Sequence, residues 1–259
     1  MVQPFAETEK ILRKTVAKQW YPAPLREVSR HHSIGVMDRE VAVFTNALPS
    51  ASLILDVGGC WGWHWRNIAA LPKNIRIILL DFVPENFIHA ARILGDSFQR
   101  EVVPMAGDAR QLPFPPNTFD AVWTVQTLQH IPEFEKACRE AWRVLKPGGR
   151  FINYSLHSPL FVRLVYLLFG KKFHQKGEVE KCFYLRRADE EQKHVLEKIF
   201  QGPVREKFTE CIFHPDLHLT HSGREGSPWG RVDFFLGKIH WISRFVARQR
   251  SFEVIKCHA

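Results

Sequence analysis

The chain has 259 residues, of which 45% are hydrophobic and 24% charged. This is the balance of a well-cored globular protein, and it excludes a disordered chain, a collagen-like chain and a bare coiled coil. Lys and Arg number 36 against 27 Asp and Glu, a net charge of +9 that favours anionic partners without naming one.

The charge is uneven. Residues 1–155 carry 18 basic and 15 acidic side chains, and residues 156–259 carry 18 and 12. Either a solubilising surface or an anion-seeking one fits that excess. The five cysteines are scattered with no CxxC pair, which argues against a disulfide framework and a zinc knuckle and points to a reducing, cytoplasmic setting. The first ten residues hold acids and lack the apolar run of a signal peptide.

In chain order, two helices are predicted first. Phe5–Trp20 places Ile11, Leu12, Val16 and Trp20 on one face, and Val36–Leu48 does the same with Val36, Val41, Phe44 and Leu48. Five apolar strands follow: Leu53–Val57, Ile75–Leu80, Glu101–Met105, Phe119–Val125 and Arg150–Tyr154. Between them lie helical patterns at Trp63–Leu71, Pro84–Leu94 and Pro132–Leu145. Strands that are apolar throughout and alternate with helices imply a mostly parallel sheet covered on both faces. Beyond this core, Asp189–Phe200 reads as a helix stopped by Gly202-Pro203. Val204–Phe213 and Ser251–His258 read as final strands. The division expected is an N-terminal helical cap over 1–50, a core over 51–156 and a substrate-side half over 157–259. Segments 156–187 and 214–250 fit no simple unit.

Chemistry concentrates at Asp56-Val57-Gly58-Gly59-Cys60-Trp61-Gly62, where a strand ends and the chain turns on small residues. Glycine permits positive φ and lets a ligand approach the backbone. A following helix would offer free N–H groups. The spacing is D-x-G-x-x-x-G, not the G-x-G-x-x-G of dinucleotide binding. Asp81 lies 25 residues after Asp56 at the end of the second strand, where an acid accepts hydrogen bonds from ribose hydroxyls. Gly107-Asp108-Ala109 sets another carboxylate after the third strand.

The text LILDVGGCWG, IILLDFVPENF, MAGDARQLPFPPNTFDAVW, LQHIP and RVLKPGG, in that order over about residues 50–155, resembles class I S-adenosylmethionine-dependent methyltransferases. The likeness is to the small-molecule, type 11 branch of ubiquinone and menaquinone biosynthesis. It implies a Rossmann-like seven-stranded α/β sheet and S-adenosyl-L-methionine as cofactor. It implies that Asp56, Gly58 and Gly62 shape the loop around the methionine end of that cofactor, with Cys60 standing where the family usually has glycine. It implies that Asp81 binds the ribose, that Phe82 lies beside the adenine, that Asp108 and Ala109 contact the adenine ring, and that Gln126 lines the methionine end. Cys60 requires a backbone that avoids a strongly positive φ. Tyr21 could cap the cofactor from above, as N-terminal segments in this family do.

The acceptor is expected to be a small molecule methylated at oxygen, with nitrogen, carbon or sulfur open. A proton-bearing nucleophile needs a base, and His130, just past the fourth strand, is the candidate. Its other reading is a histidine that only ties the loop. His31-His32 is a weaker option. Trp61, Trp63 and Trp65 either pack the first helix or wall the sulfonium. His214, Asp216, His218 and His221 have metal-like spacing, but methyl transfer from a sulfonium needs no metal, so a polar loop beside the substrate is expected and no metal is assigned. Ser158–Gly177 reads as a buried helix, a greasy cover on the substrate or an interfacial segment. The excess charge then suits an anionic or membrane-associated acceptor. Nucleic acid is not expected, since Thr124-Val125-Gln126-Thr127 lacks the Asn/Asp-Pro-Pro-Tyr/Phe loop of amino-group base methylation. The rival readings are an RNA methyltransferase and a non-catalytic cofactor-binding protein.

Overall fold

A computed structural model describes residues 10–11, 14–15, 34–71, 73–170, 172–179, 183–218 and 228–257. Most of the first predicted helix, Phe5–Trp20, with Tyr21 and His31-His32, lies outside these residues, as does His221.

The strands are β1 (Leu53–Val57), β2 (Arg76–Asp81), β3 (Val102–Ala106), β4 (Phe119–Val125), β5 (Leu145–Leu156), β6 (Lys176–Val179), β7 (Phe183–Arg186), β8 (Arg205–Thr209) and β9 (Gln249–Ile255). The helices are α1 (Ile34–Asn46), α2 (Asn86–Leu94), α3 (Phe134–Val144), α4 (Leu160–Leu168), α5 (Glu190–Phe200), α6 (Pro228–Lys238) and α7 (His240–Val246). Seven strands form one sheet in the order β3-β2-β1-β4-β5-β9-β8, while β6 and β7 form a separate hairpin. β1 to β5 run parallel; β9 is antiparallel to β5, and edge strand β8 is antiparallel to β9 and so parallel to the rest. The expected α/β sheet is therefore present.

Alternate side chains explain why both faces are covered, since successive residues of a strand point to opposite sides. Leu55, Val122 and Phe151 enter a core shared with α3 and α5. Ile54, Ala121, Trp123 and Tyr154 enter the opposite core, shared with α1 and α2. Tyr154 Oη donates to buried Glu40 of α1 at 2.9 Å, and Lys207 of β8 also pairs with Glu40. α5 begins with a capping box: Gln192 N donates to Asp189 Oδ1 at 2.8 Å, and the Gln192 side chain accepts from the Asp189 N–H.

Three expectations change. Trp63–Leu71 is not an α-helix but two 3₁₀ turns, Trp63–Trp65 and Ile68–Ala70. Gly62, Trp65 and Ile68 are the buried residues here, each three apart. That repeat suits a 3₁₀ turn, where residues i and i+3 eclipse, better than a 3.6-residue helix. The helix N-terminus expected to receive an anion is therefore absent from this loop. Second, β5 begins at Leu145, so Lys146-Pro147-Gly148-Gly149 lies within it, with a register shift opposite Phe119–Ala121. Third, α4 is not a buried helix: of its nine residues only Val162 is buried.

The last strand is anchored by a lysine. Lys256 Nζ donates to Asn117 Oδ1 at 2.9 Å, the Trp142 carbonyl at 2.9 Å and the Leu145 carbonyl at 2.7 Å. Those three acceptors use all three ammonium hydrogens. Among the described residues no helix is long and apolar enough to cross a membrane.

Candidate functional site

Parallel strands β3, β2, β1 and β4 end at one edge of the sheet, where open α/β sheets form their ligand crevice. The loop Gly58–Gly62 leaves β1 there, Asp81 closes β2, Asp108 follows β3 and Gln126 follows β4. The topology thus gathers residues up to 70 positions apart in sequence at one edge.

Asp56 is buried at the end of β1 and accepts a 2.7 Å hydrogen bond from Trp65 Nε1. Burial pushes its carboxyl up to about 7, against the Trp65 bond that lowers it, and the nearby charge of Asp81 adds to the rise. The sequence leaves Trp65 as either a packing residue or a wall of the cofactor. Trp65 packs edge-on to Trp123 with ring centroids 5.8 Å apart and also serves Asp56. Trp61 Nε1 instead donates to Asn86 Oδ1 at 3.1 Å, and Trp63 lies beneath the Arg66 guanidinium. His64 is half-buried beside Trp123, and desolvation lowers it to about 4, so it is neutral at pH 7.

Asp81 is the clamp of the site. Its Oδ2 accepts from the Cys60 N–H at 3.0 Å, and its Oδ1 accepts from the Val83 N–H at 2.8 Å and from Asn86 Nδ2 at 3.3 Å. One carboxylate so fixes the glycine loop, the end of β2 and the start of α2. Gly58 and Gly59 both donate their N–H to the Leu80 carbonyl, holding the turn against β2. At Gly59 a Cβ would sit 2.2 Å from Leu79 and 2.4 Å from Asp56, so no side chain fits without displacing the buried carboxylate.

Cys60 corrects the expectation for its backbone. Its φ is +52°, in the left-handed region, and the thiol is exposed. A non-glycine residue there carries strain of about 1–2 kcal/mol. The Cys60 N–H bond to Asp81 is what holds it in place. Gln126 is a second such residue, φ +52°, at the end of β4. Its N–H donates to the Tyr154 carbonyl at 2.7 Å, while its buried Nε2 finds no acceptor among the described residues.

Asp108 is half-exposed and is gripped by Arg110. Arg110 Nη2 donates to it at 2.7 Å and Nε at 3.1 Å, and the Arg110 N–H donates at 2.8 Å. Burial alone would raise the Asp108 carboxyl, but those bonds and the guanidinium charge hold it below the ordinary carboxylate range. Arg110 also pairs with Glu133 at 3.0 Å. Ala109 is buried and Phe82 lies at the exposed rim.

His130 follows Gln126 in the 3₁₀ turn Leu128–His130. Its Nδ1 lies 2.8 Å from the Tyr184 carbonyl of β7, which can only accept, so Nδ1 carries the proton. Its Nε2 is 3.1 Å from Gln129 Nε2. Gln129 Oε1 accepts from the Leu156 N–H at 2.7 Å, which orients the amide nitrogen as donor to His130. The ring therefore ties the β6–β7 hairpin over the crevice. His214 lies elsewhere, with Nε2 on the Val246 carbonyl at 2.7 Å.

Arg110, Gln129 and Thr127, whose hydroxyl donates to the Gly58 carbonyl at 3.2 Å, were not singled out from the sequence. Only Arg110 left a trace there, as a base two residues after Asp108. Gln129 and Thr127 gain meaning only from the meeting of β4 with β1 and β5.

Residues 55–153 match the family model described as a methyltransferase domain, Methyltransf_11. The chain is 34% identical over 100 residues to the ubiquinone/menaquinone biosynthesis C-methyltransferase UbiE of Methylobacterium nodulans, covering 38% of this chain and 40% of that protein. It is 38% identical over 104 residues to the sterol 24-C-methyltransferase of Yarrowia lipolytica, covering 39% and 26%. It thus spans less than half the length of either curated relative. Among solved structures, an S-adenosylmethionine-dependent methyltransferase of Thermotoga maritima superposes with a TM-score of 0.60 at 16% identity, over 96% of this chain and 99% of that one. The cyclase SpnF superposes with a TM-score of 0.59 at 19% identity, over 86% and 81%. These likenesses show the fold alone, and a fold can host more than one chemistry.

Proposed function

We propose that this protein, whose residues 55–153 are a methyltransferase domain of the class I S-adenosylmethionine-dependent, type 11 family, transfers a methyl group from S-adenosylmethionine to a small lipid-like or quinone-like acceptor. The observation that carries the reading is the buried, acceptor-less amide of Gln126 at the same strand edge as Asp56, Asp81 and Asp108. An amide donor and a row of carboxylates suit a ligand that has a carboxylate at one end and ribose hydroxyls in the middle.

The cofactor supplies an electrophilic methyl carried on a sulfonium. Asp81 would receive the ribose hydroxyls while keeping its backbone bonds. Asp108 and Ala109 would meet the adenine edge and Phe82 its face. Gly58, Cys60 and Gly62 would shape the loop at the methionine end, with Asp56 behind it. The Gln126 amide would donate to the methionine carboxylate. Tyr21 is proposed to cap this end.

His130 is proposed as the group that takes the acceptor's proton at Nε2. With Nδ1–H fixed on Tyr184, the lone pair sits at Nε2, and an acceptor hydroxyl would reach it by replacing the Gln129 amide. Oxygen is therefore the first reading for the methylated atom. Carbon is the second, favoured by two relatives named as C-methyltransferases. The chain is taken to work in the cytoplasm on an anionic or membrane-associated acceptor, without nucleic acid.

Calorimetry with S-adenosylhomocysteine tests the cofactor. Turnover of an isotope-labelled methyl into a demethylquinone panel, read by nuclear magnetic resonance, tests the acceptor atom. No heat of binding would sink the reading, and label in RNA alone would transfer it to the nucleic-acid rival.

A further inference from the structure

Helix α4 packs against α7, and α7 against α6, so the three form one continuous face. The Phe161 and Phe245 rings meet at its centre, 6.4 Å apart. Outward, this face is apolar. Leu167 is 75% exposed, Leu168 83% and Phe169 75%, at the C-terminal turn of α4. Trp241 of α7 is 76% exposed, and Trp229 and Phe235 of α6 are exposed beside it. Monomeric proteins seldom show water a contiguous patch of such residues unless something covers it.

Bases predominate around the patch. Residues 158–175 contain no acid, and the exposed bases there include Arg163 and Lys172. Residues 228–248 contain Arg231, Lys238, Arg244 and Arg248 against a single acid, Asp233, which is buried. Asp189 and Glu190 also line this face, and both are already paired, with Arg186 and Arg250. A second copy of the same face would set cations against cations, which opposes self-pairing. Each helix is far too short to span a bilayer, but apolar residues with flanking cations suit one that lies in the interface.

A groove of about 990 Å³ opens on this face between α4 and α7. Leu160, Leu164, Trp241 and Phe245 line it, with Arg163 and Arg244 among its polar lining. It opens at the same carboxyl edge of the sheet, beside the end of β5 and the start of β9, but shares no lining residue with the glycine-loop site.

We propose that the face formed by α4, α6 and α7 docks on an anionic lipid bilayer, with the Leu167-Leu168-Phe169 turn and Trp241 entering the headgroup region. The docked orientation places the mouth of the groove against lipid. The inference deepens the lipid-like acceptor reading and rests on it for its use. Vesicle binding is nevertheless read with neither methyl donor nor acceptor present, so either can fail alone.

The test is flotation of the full chain with vesicles of phosphatidylcholine alone, or of phosphatidylcholine and phosphatidylglycerol in equal parts. The chain is expected to float with the anionic vesicles, little with the neutral ones, and less as salt is raised. Replacing Leu168→Glu and Phe169→Glu together should lower the partition about tenfold or more. Arg163→Gln and Lys172→Gln should each lower it about fivefold. All four residues are exposed, so circular dichroism and the melting curve should stay unchanged. The proposal is overturned by absence of flotation, by equal binding to neutral and anionic vesicles, or by full binding of the Leu168/Phe169 variant. Self-association that the same variant relieves, without flotation, would instead assign the face to contact between copies and also overturn it.

Discussion

The edge of the sheet at β1–β4 and the region beyond β5 solve opposite problems. At the first, polar groups are tied down: buried Asp81 accepts three hydrogen bonds, buried Asp56 is held by Trp65 and half-exposed Asp108 by Arg110. Beyond β5, apolar groups are left in water: α4 buries one residue of nine, and Trp241 stands out from α7. The matched methyltransferase domain stops at residue 153, close to where one regime gives way to the other. A site for a fixed ligand needs rigid polar groups, whereas a surface for a variable or lipid-like partner needs only apolar area and charge. The contrast teaches that the proposed cofactor and acceptor sides answer to different physics and should fail differently when altered.

Asp81→Ala should break the first region most. It removes acceptors from the Cys60 and Val83 N–H groups as well as the proposed ribose partner, and the affinity for S-adenosylhomocysteine should fall about a hundredfold or more. An unchanged dissociation constant in calorimetry would dismiss the ribose assignment. His130→Ala acts between the regions, because it frees the β6–β7 hairpin from the turn after β4. Turnover should fall about tenfold or more with cofactor affinity nearly kept. Equal loss of both would reduce His130 to a structural tie.

Asp56→Asn sharpens the contrast through pH. A carboxyl raised to about 7 in the folded chain, from an unfolded value of 3.8, keeps its proton longer when folded. Its contribution to stability is therefore full below about pH 4 and lost as pH rises to about 7. His64 and His157, both lowered to about 4, slope the other way between about pH 4 and 6.5, so the wild-type profile alone is ambiguous. The difference between wild type and Asp56→Asn isolates the carboxyl. In urea melts the variant should gain, relative to wild type, about 1–3 kcal/mol between pH 4 and pH 8. A flat difference would mean that Asp56 is ionised throughout. The smallest effect is expected for Cys60→Gly. Glycine relieves the left-handed strain at φ +52° but adds freedom to the unfolded chain, so stability should rise by no more than about 1 kcal/mol. A fall would show that the thiol packs against something it needs.

The sequence announced the first region far better than the second. β1 and β4 were legible to the residue because Leu53–Val57 and Phe119–Val125 are apolar runs bounded by turn residues, and such runs have few alternatives. The acids of the site were legible because each sits where a strand must end. The stretch Trp63–Leu71 was misread because its apolar residues fit a helical pattern, whereas the buried ones recur at every third position, a repeat confined to two short turns. The contacts of Gln129 with Leu156 and of His130 with Tyr184 were illegible, since they join segments whose approach only the fold decides. Segments 156–187 and 214–250 hid α4, α6, α7 and the hairpin for another reason. Periodicity reports which face is buried, and these elements bury little.

The anchoring of Lys256 has a consequence for the order in which the chain is made. β9 fills the slot between β5 and β8, so the register of Arg150 with Ile255 joins residues about a hundred positions apart. During synthesis β1 to β5 emerge before β9 and can begin to assemble without it. The outer edge of β5 must wait, its backbone groups unpaired, until β9 has left the ribosome and Lys256 has found its three oxygens. Such non-local pairing is slow to form, and an open edge during that interval is the moment at which a nascent chain is most exposed to aggregation. Chaperone demand should therefore peak in the interval between the emergence of β5 and that of β9, and substitution of Lys256 should lower soluble yield more than it lowers the melting temperature of the molecules that do fold.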